Sequence, residues 1–205
     1  MRNVAILIFP EVEVLDFCGP FEAFSVTSEV SAPGAFNVFT VAEQPGPVHT
    51  RNGLSVNPHY RLDDAPQPHV LLIPGGLGTR PLLNNQPLLE WIRTKSKSAE
   101  LTLSVCTGSL VLAKAGLLDG LGTTTHWGAI DLLRELAPKS TVYTDRRFVD
   151  NGHVICSAGI AAGIDMSLHV IERLLGPDAT LKTARYMEYP WHAGAYEPAG
   201  GRRSC

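Results

Sequence analysis

The sequence lacks the short motifs that mark several large enzyme and binding classes. It contains no Walker phosphate-binding loop, no His-Glu-x-x-His pair and no Gly-x-Ser-x-Gly elbow. The glycines around Gly75-Gly76-Leu77-Gly78 do not complete a dinucleotide-binding fingerprint. No Cys-x-x-Cys occurs, and no set of cysteines and histidines has zinc-finger spacing. These absences argue against motif-defined nucleotide binding, zinc proteolysis and serine hydrolysis, and we expect no metal and no cofactor.

Charge and hydropathy exclude two further classes of partner. The formal net charge is −3, without a basic stripe or a long run of like charges, so we expect no nucleic-acid partner. No apolar run approaches the length that spans a membrane, so we expect no membrane partner. The apolar residues 4–9 are too few for a signal peptide, and Glu11 and Glu13 stand where a cleavage site should be. We predict a first strand there.

The four cysteines show no pairing pattern. They stand at positions 18, 106, 156 and 205. A chain of 205 residues builds a sufficient core without disulfides, so we expect free thiols in a reducing cytoplasm.

The composition is that of one globular domain, with 44% hydrophobic and 18% charged residues. Without an internal repeat or a linker, we expect a single domain over residues 1–191. Residues 192–205 are rich in glycine and in small or charged residues, and we predict a mobile C-terminal tail.

Apolar runs alternate with helical patterns along the chain. Runs without polar alternation need cover on both faces, so the pattern predicts an α/β fold with a mostly parallel sheet. Predicted strands cover residues 4–9, 36–41, 48–50, 54–57, 70–73, 101–105, 141–143, 147–149 and 153–156. Predicted helices cover residues 17–28, 81–97, 109–115, 128–136, 161–175 and 178–189, the last capped by Asp178.

Cys106 is the most informative residue. It stands between the strand at 101–105 and the helix at 109–115, and Gly108 permits a sharp turn. A thiol at such a turn lies at the carboxyl edge of the sheet, beneath the positive end of a helix, which favours the thiolate. Hydrolases place a serine nucleophile in the same way. The alternative is a buried cysteine that only fills space.

Two other segments bring chemistry to the same edge of the sheet. Asp16 follows the first strand and could exchange a proton with a substrate, although an aspartate at this place is more often a helix N-cap. Gly75 and Gly76 follow Pro74, and their amides, with that of Thr107, could stabilise negative charge. A plain turn explains the glycines equally well.

The remaining candidates have ordinary explanations. His126 could orient or deprotonate the cysteine or bind substrate, or it could serve as a structural residue at a helix start. Thr107 could bind substrate or water, or satisfy the first helical turn. Cys18 could pair with Cys106 under oxidation, although nothing in the spacing demands it, and Cys205 is the weakest candidate. Structural or surface roles are expected for the other polar and aromatic residues considered: Asp165, His169, Glu172, Tyr186, Tyr189, Trp191 and Tyr196.

Five motifs follow one another along the chain: Phe9-Pro10-Glu11-Val12, Leu15-Asp16-Phe17-Cys18-Gly19-Pro20, Ile73-Pro74-Gly75-Gly76, Ser104-Val105-Cys106-Thr107-Gly108-Ser109 and Thr124-Thr125-His126-Trp127. Taken in order, these motifs resemble the ThiJ/PfpI superfamily, a class I glutamine amidotransferase-like group. Within it, the chain looks most like isonitrile (isocyanide) hydratases and the sensor domains of AraC-type regulators.

The resemblance implies a flavodoxin-like three-layer sandwich with a nucleophile-elbow cysteine, and a homodimer. It also implies that Cys106 is the nucleophile, Asp16 its carboxylate partner and Thr107 a third site residue.

Departures from the superfamily's patterns narrow the activity. Its peptidases carry histidine directly after the cysteine, where this chain has Thr107. Its amidotransferases carry glycine where this chain has Ser104, and a His-x-Glu pair that occurs nowhere here. Many other members place glutamate where Asp16 stands, which argues against a glyoxalase or deglycase.

Three functions follow as hypotheses. The first is a cofactor-free, cytoplasmic lyase of the isonitrile hydratase type, which acts on a small molecule through a thioimidate on Cys106. The second is a non-enzymatic sensor of a small molecule or of oxidative stress. The third is an amidase-like or peptidase-like hydrolase.

Overall fold

The continuous apolar runs form the central strands of one sheet. The computed structural model describes residues 1–191. In chain order its strands are β1 (Arg2–Leu7), β2 (Phe36–Ala42), β3 (Val48–His49), β4 (Ser55–Val56), β5 (Tyr60–Arg61), β6 (Val70–Ile73), β7 (Leu101–Val105), β8 (Gly122–Thr123), β9 (Thr141–Val142), β10 (Phe148–Asp150) and β11 (Val154–Ser157).

Seven of these strands build the main sheet in the order β10-β11-β7-β6-β1-β2-β5. All neighbouring pairs are parallel except β10 and β11, which form an antiparallel hairpin at one edge. Every residue of β6 and β7 is buried, because helices cover both faces of the sheet.

The helices form two packed groups that flank the sheet. One group contains the first and the last two helices, and the other contains the four between them. The helices are α1 (Val14–Val26), α2 (Thr79–Leu82), α3 (Gln86–Ser98), α4 (Gly108–Lys114), α5 (Ile130–Leu136), α6 (Ala162–Leu175) and α7 (Pro177–Tyr186). A π-helical turn at Thr27–Ser31 extends α1, and a 3-10 turn at Trp127–Ala129 precedes α5. The prediction of a flavodoxin-like α/β sandwich with a mostly parallel sheet is confirmed.

The predicted helix over residues 81–97 is wrong as a single element. The chain leaves the helical path after α2, and Asn85 then caps α3 by accepting a hydrogen bond from the Leu88 amide at 3.1 Å. The cap of α7 is also wrong, since Gly176 occupies that position and Pro177 begins the helix. The short strands β5 and β8 were not predicted, because two-residue strands carry no periodic pattern.

No helix within residues 1–191 combines the length and apolar character needed to cross a bilayer. The predictions for the tail at 192–205, including those for Tyr196 and Cys205, lie outside the described residues.

Candidate active site

Cys106 occupies a strained turn between β7 and α4. Its φ is 56°, a left-handed conformation that a side chain-bearing residue adopts only when the surrounding structure enforces it. The backbone is held on both sides, since the Cys106 amide donates to Ser157 O at 3.2 Å and Thr125 Oγ1 donates to Cys106 O at 2.9 Å. A Cβ at Gly108 would lie 2.0 Å from Ile73 O, so only glycine permits so close a turn. The predicted elbow is present.

Asp16 faces this turn rather than capping its own helix. It is the third residue of α1, and Glu13 occupies the N-cap position. The side chain is fully buried, and Oδ2 accepts a hydrogen bond from the Gly75 amide at 2.9 Å. Its other oxygen, Oδ1, has no well-aligned hydrogen-bond partner. The N-cap interpretation is therefore wrong, because Glu13 occupies that position and the Asp16 side chain is directed to the Gly75 amide instead.

Thr107 links the turn at Cys106 to the loop of Gly75 and Gly76, called the glycine loop from here on. The Gly76 amide donates to Thr107 Oγ1 at 3.0 Å, and Thr107 Oγ1 lies 3.2 Å from Gly76 O. The buried Thr79 hydroxyl donates to Gly76 O at 2.8 Å and lies 3.3 Å from Thr107 Oγ1. Thr107 does not cap the first turn of α4 with its side chain.

The amides of Gly75 and Gly76 are bonded within the protein and are not open to a ligand. The Gly75 amide is bonded to Asp16 and the Gly76 amide to Thr107, so the expectation that both amides are free for an oxyanion is wrong. A Cβ at Gly75 would lie 2.6 Å from the Thr107 amide nitrogen and 2.7 Å from Asp16 Oδ2. The missing side chain at Gly75 is what lets Asp16 and Thr107 approach each other.

The buried environment shifts the pKa values of both Asp16 and Cys106. Burial raises the pKa of Asp16 from 3.8 to about 7, against the lowering effect of the Gly75 amide and of the Cys106 thiol. Burial, followed by the charge of Asp16, raises the pKa of Cys106 to about 12, although the Thr107 amide and hydroxyl oppose this. The expectation of an easily ionised thiol is therefore wrong for the free site, because burial and Asp16 outweigh the helix end. Near neutral pH the carboxyl group gains and loses a proton while the thiol keeps its own.

A strained backbone also lies against the carboxyl group. Ile160 has φ 54°, which is unusual for a β-branched residue, and its amide lies near enough to Asp16 to lower the pKa of that carboxyl. Sequence reasoning missed Ile160, since nothing in its neighbourhood marks it.

His126 lies at the site but forms no hydrogen bond with Cys106 in the part of the chain described. Its Nδ1 accepts from the Gly128 amide at 3.2 Å, which makes it the cap of the 3-10 turn. A Cβ at Gly159 would lie 2.4 Å from the imidazole Cδ2, so glycine makes room for the ring. The structural prediction is supported and a role as base for Cys106 is not, while the ring still borders the pocket.

A pocket of about 210 Å³ opens beside Cys106. Four of the predicted residues line it, namely Gly76, Cys106, Thr107 and His126, whereas Gly75 and Asp16 do not. Glu13, Arg51, Leu77 and Arg80 also line it, and none of these four was anticipated. A second cavity of about 390 Å³ adjoins it across His126 and Ile160. Arg80 follows Gly75 and Gly76 in the chain, but its place in the pocket becomes visible only in the structure.

Of the residues expected to have structural or surface roles, Asp165 is a packing partner, whereas His169 is half-buried rather than solvent-exposed as predicted. Asp165 pairs with Arg147 and accepts from Tyr189 Oη at 3.0 Å, as a packing partner should. His169 is not on a fully solvated face, since its Nε2 lies 2.7 Å from Asp150 Oδ2 and its ring packs against Phe148. Residues 1–191 contain no group of three or more His, Cys, Asp or Glu side chains that could hold a metal.

A mostly parallel α/β sheet with a cysteine on a strand-to-helix turn defines a flavodoxin-like protein of the nucleophile-elbow class. The model of the DJ-1/PfpI family matches residues 2–173. The chain therefore belongs to the DJ-1/PfpI family, as the motif resemblance predicted.

Individual relatives divide between an enzyme and a regulator. The isonitrile hydratase of Pseudomonas putida is 34% identical over 201 residues, which cover 96% of this chain and 84% of that protein. The HTH-type transcriptional regulator CdhR of Pseudomonas aeruginosa is 33% identical over 179 residues. That match covers 87% of this chain but 52% of the regulator, so the chain spans about half of it. The crystal structure of a ThiJ/PfpI family protein from Pseudomonas syringae has a TM-score of 0.83 at 29% identity, covering 95% of this chain and 79% of that one.

Proposed function

We propose that this protein is a lyase that hydrates isonitriles to N-substituted formamides, with Cys106 as the nucleophile and Asp16 as the proton carrier. The observation that supports it most is the fully buried Asp16 carboxyl group, which accepts a hydrogen bond from the Gly75 amide and lies beside the buried Cys106 thiol. Burial raises the pKa of this carboxyl group to about 7. The similarity to an isonitrile hydratase over 96% of the chain supports the same reaction.

In the first step Cys106 adds to the terminal carbon of the isonitrile. The ionised Asp16 takes the thiol proton as the S–C bond forms, since a thiol with a pKa of about 12 is a poor nucleophile without a base. Asp16, now protonated, delivers that proton to the same carbon. The C–N triple bond becomes a double bond, and the product is a neutral thioimidate on Cys106.

In the second step water releases the product. Asp16 removes a proton from a water molecule while the water oxygen bonds to the thioimidate carbon. The thioimidate nitrogen then takes up that proton. The C–S bond then breaks with its electron pair on sulfur, and the hydroxyl proton returns to sulfur through Asp16. The sum is one isonitrile and one water consumed, and one N-substituted formamide formed.

Supply of a simple alkyl isonitrile tests this reaction, with formamide measured by chromatography. We expect turnover by the wild type and none above background with Cys106→Ala. Asp16→Asn should lose most of the activity because it cannot carry a proton. Equal formamide production by the wild type and Cys106→Ala would contradict the proposal.

A second candidate is a small-molecule sensor, which the match to half of a transcriptional regulator supports. A buried thiol with a raised pKa resists oxidation, so this candidate favours a ligand over an oxidant as the signal. Mass spectrometry after mild peroxide treatment decides between the two signals, because an oxidant sensor would acquire sulfinic acid selectively at Cys106.

A hydrolase of the amidase or peptidase type is the weakest candidate. Such a reaction is usually supported by a cysteine–histidine pair, and His126 is bonded to Gly128 instead. Release of amine from simple amides or peptides by the wild type, absent in Cys106→Ala, would revive it.

We further propose a cytoplasmic homodimer. Two apolar side chains border the pockets with large exposed fractions, Trp127 at 83% and Leu77 at 51%, as an interface would require. Cys18, Cys106 and Cys156 are all free thiols, in keeping with a reducing compartment. Light scattering that gives the monomer mass at micromolar concentration would contradict the dimer.

A further inference from the structure

The pocket beside Cys106 contains a surplus positive charge. Arg51 and Glu13 both line it and pair with each other at 3.3 Å, so their charges largely cancel. Arg80 lines the same pocket, and no carboxylate within residues 1–191 forms an ion pair with it. Asp16 is fully buried behind the Gly75 amide and does not line this pocket.

Arg80 forms hydrogen bonds within the protein through only one guanidinium nitrogen, Nη1, in the described chain. Its Nη1 donates to Thr79 Oγ1 at 2.9 Å and reaches Gly76 O at 3.4 Å. Thr79 is fully buried, so this support is fixed by the core of the protein. Within the described chain, Nε and Nη2 form no hydrogen bond. These two nitrogens form the edge through which an arginine binds a carboxylate with two parallel hydrogen bonds.

Arg80 lies close to the residues of the proposed reaction. The same Thr79 hydroxyl that supports Arg80 lies 3.3 Å from Thr107 Oγ1. Thr107 follows Cys106 directly in the chain, and Arg80, Thr107 and Cys106 line the same pocket. A small molecule bonded to Cys106 therefore occupies a pocket that the guanidinium group borders.

We propose that the isonitrile used by this protein carries a carboxylate, and that Arg80 binds this carboxylate through Nε and Nη2. The inference rests on the proposed function and specifies its substrate class. A pocket of about 210 Å³ is below the range of roughly 300–1,000 Å³ that is typical for drug-sized ligands, which favours a small isocyano acid. The product is then an N-formyl amino acid.

Kinetics with matched substrates test the specificity. Isocyanoacetate and its methyl ester differ in the charge and in one methyl group, and formamide production is followed for both. We expect kcat/KM of the wild type to be at least roughly tenfold higher for the carboxylate, the effect of a hydrogen-bonded charge pair. Equal values for the two substrates, or a preference for the ester, would overturn the inference.

Variants locate the origin of the preference. Arg80→Met should raise KM for isocyanoacetate and abolish the preference for isocyanoacetate over its ester. Arg80→Lys should restore part of this preference, because lysine returns the positive charge without the two parallel hydrogen bonds that arginine forms. The double variant Arg51→Met/Glu13→Gln is the matched control, since it removes a paired charge of each sign from the same pocket and leaves the net charge unchanged. A preference that survives Arg80→Met, or that the double variant removes equally, would overturn the assignment to Arg80.

A binding measurement separates failure of this inference from failure of the proposed function. In Cys106→Ala protein, N-formylglycine should raise the melting temperature and its methyl ester should not, with the rise lost on adding Arg80→Met. If the wild type hydrates no isonitrile, the proposed reaction fails while this stabilisation still supports carboxylate binding at Arg80. Without the stabilisation, the carboxylate site is refuted whatever the reaction.

Discussion

Replacement of Asp16 by asparagine should change the stability of the protein in a pH-dependent way. The carboxyl group is buried and has a pKa of about 7 in the folded protein, against 3.8 in an unperturbed aspartate. The folded state therefore holds this proton more tightly than the unfolded chain does. As the pH rises from 4 to 7 the unfolded chain releases the proton first, so the carboxyl group destabilises the fold progressively.

The size of the effect follows from the two pKa values. The difference between 3.8 and about 7 corresponds to about 4 kcal/mol of destabilisation once the pH is above 7. Between pH 5 and pH 8, where the protein is easily handled, about 2.5 kcal/mol of it should appear. Asparagine has a similar shape and accepts the Gly75 hydrogen bond, but it does not ionise.

Urea unfolding at several pH values measures this directly. The free energy of unfolding of Asp16→Asn minus that of the wild type should grow by about 2.5 kcal/mol from pH 5 to pH 8. Asp131→Asn serves as the control, because its carboxylate is 93% exposed and its difference should stay nearly flat. A flat difference for Asp16→Asn would refute the raised pKa and with it the proton-carrier role.

The remaining predictions concern packing and a second charge cluster. Gly75→Ala should lower kcat/KM for isonitrile hydration at least tenfold with the far-UV circular dichroism unchanged, because its Cβ would displace Asp16 and Thr107; full activity would contradict the tight site. Leu103→Ala, in the middle of β7, should cost roughly 2–5 kcal/mol in urea unfolding, and a cost below 1 kcal/mol would show that the sheet core collapses around the gap. Arg173→Met should cost about 1 kcal/mol at pH 7, since Nη1 lies 2.8 Å from Asp150 Oδ2 at a half-exposed position. Burial alone would raise the pKa of Asp150, but His169, Gly152 and Arg173 together outweigh burial, so the pKa lies below its ordinary value. The stability lost in Arg173→Met should therefore vanish only in strong acid, and a loss that persists below pH 2 would refute the ion pair.

The layered fold was predictable because its signals are local. Strands such as β6 and β7 are uninterrupted apolar runs, and helices cover both their faces. Asn52-Gly53 and Asn151-Gly152, each a typical hairpin turn, separate the predicted strands that became β3–β4 and β10–β11, and both of these pairs are antiparallel. The break between α2 and α3 was missed because Leu82 and Leu89, seven residues apart, would share one face of a continuous helix across the capped boundary.

The site was predictable as a set of residues but not as a network. Sequence order placed Cys106, Asp16 and the glycine loop at one edge of the sheet, as the contacts between Asp16, Gly75 and Thr107 now display. The direction of the thiol pKa was wrong because a helix start is visible in the sequence, whereas burial beside a carboxyl group is not. Arg80 gains its meaning only from the pocket, since nothing in the sequence reveals which arginines lack a partner.

Intact-mass spectrometry after rapid mixing with an isonitrile tests the central claim most directly. Addition to the terminal carbon expels no leaving group, so quenched wild-type protein should gain the full mass of the isonitrile. Peptide mapping should place this mass on Cys106, and Cys106→Ala should gain nothing. Formamide production without any adduct on Cys106, or an equal adduct on Cys18 or Cys156, would contradict the account.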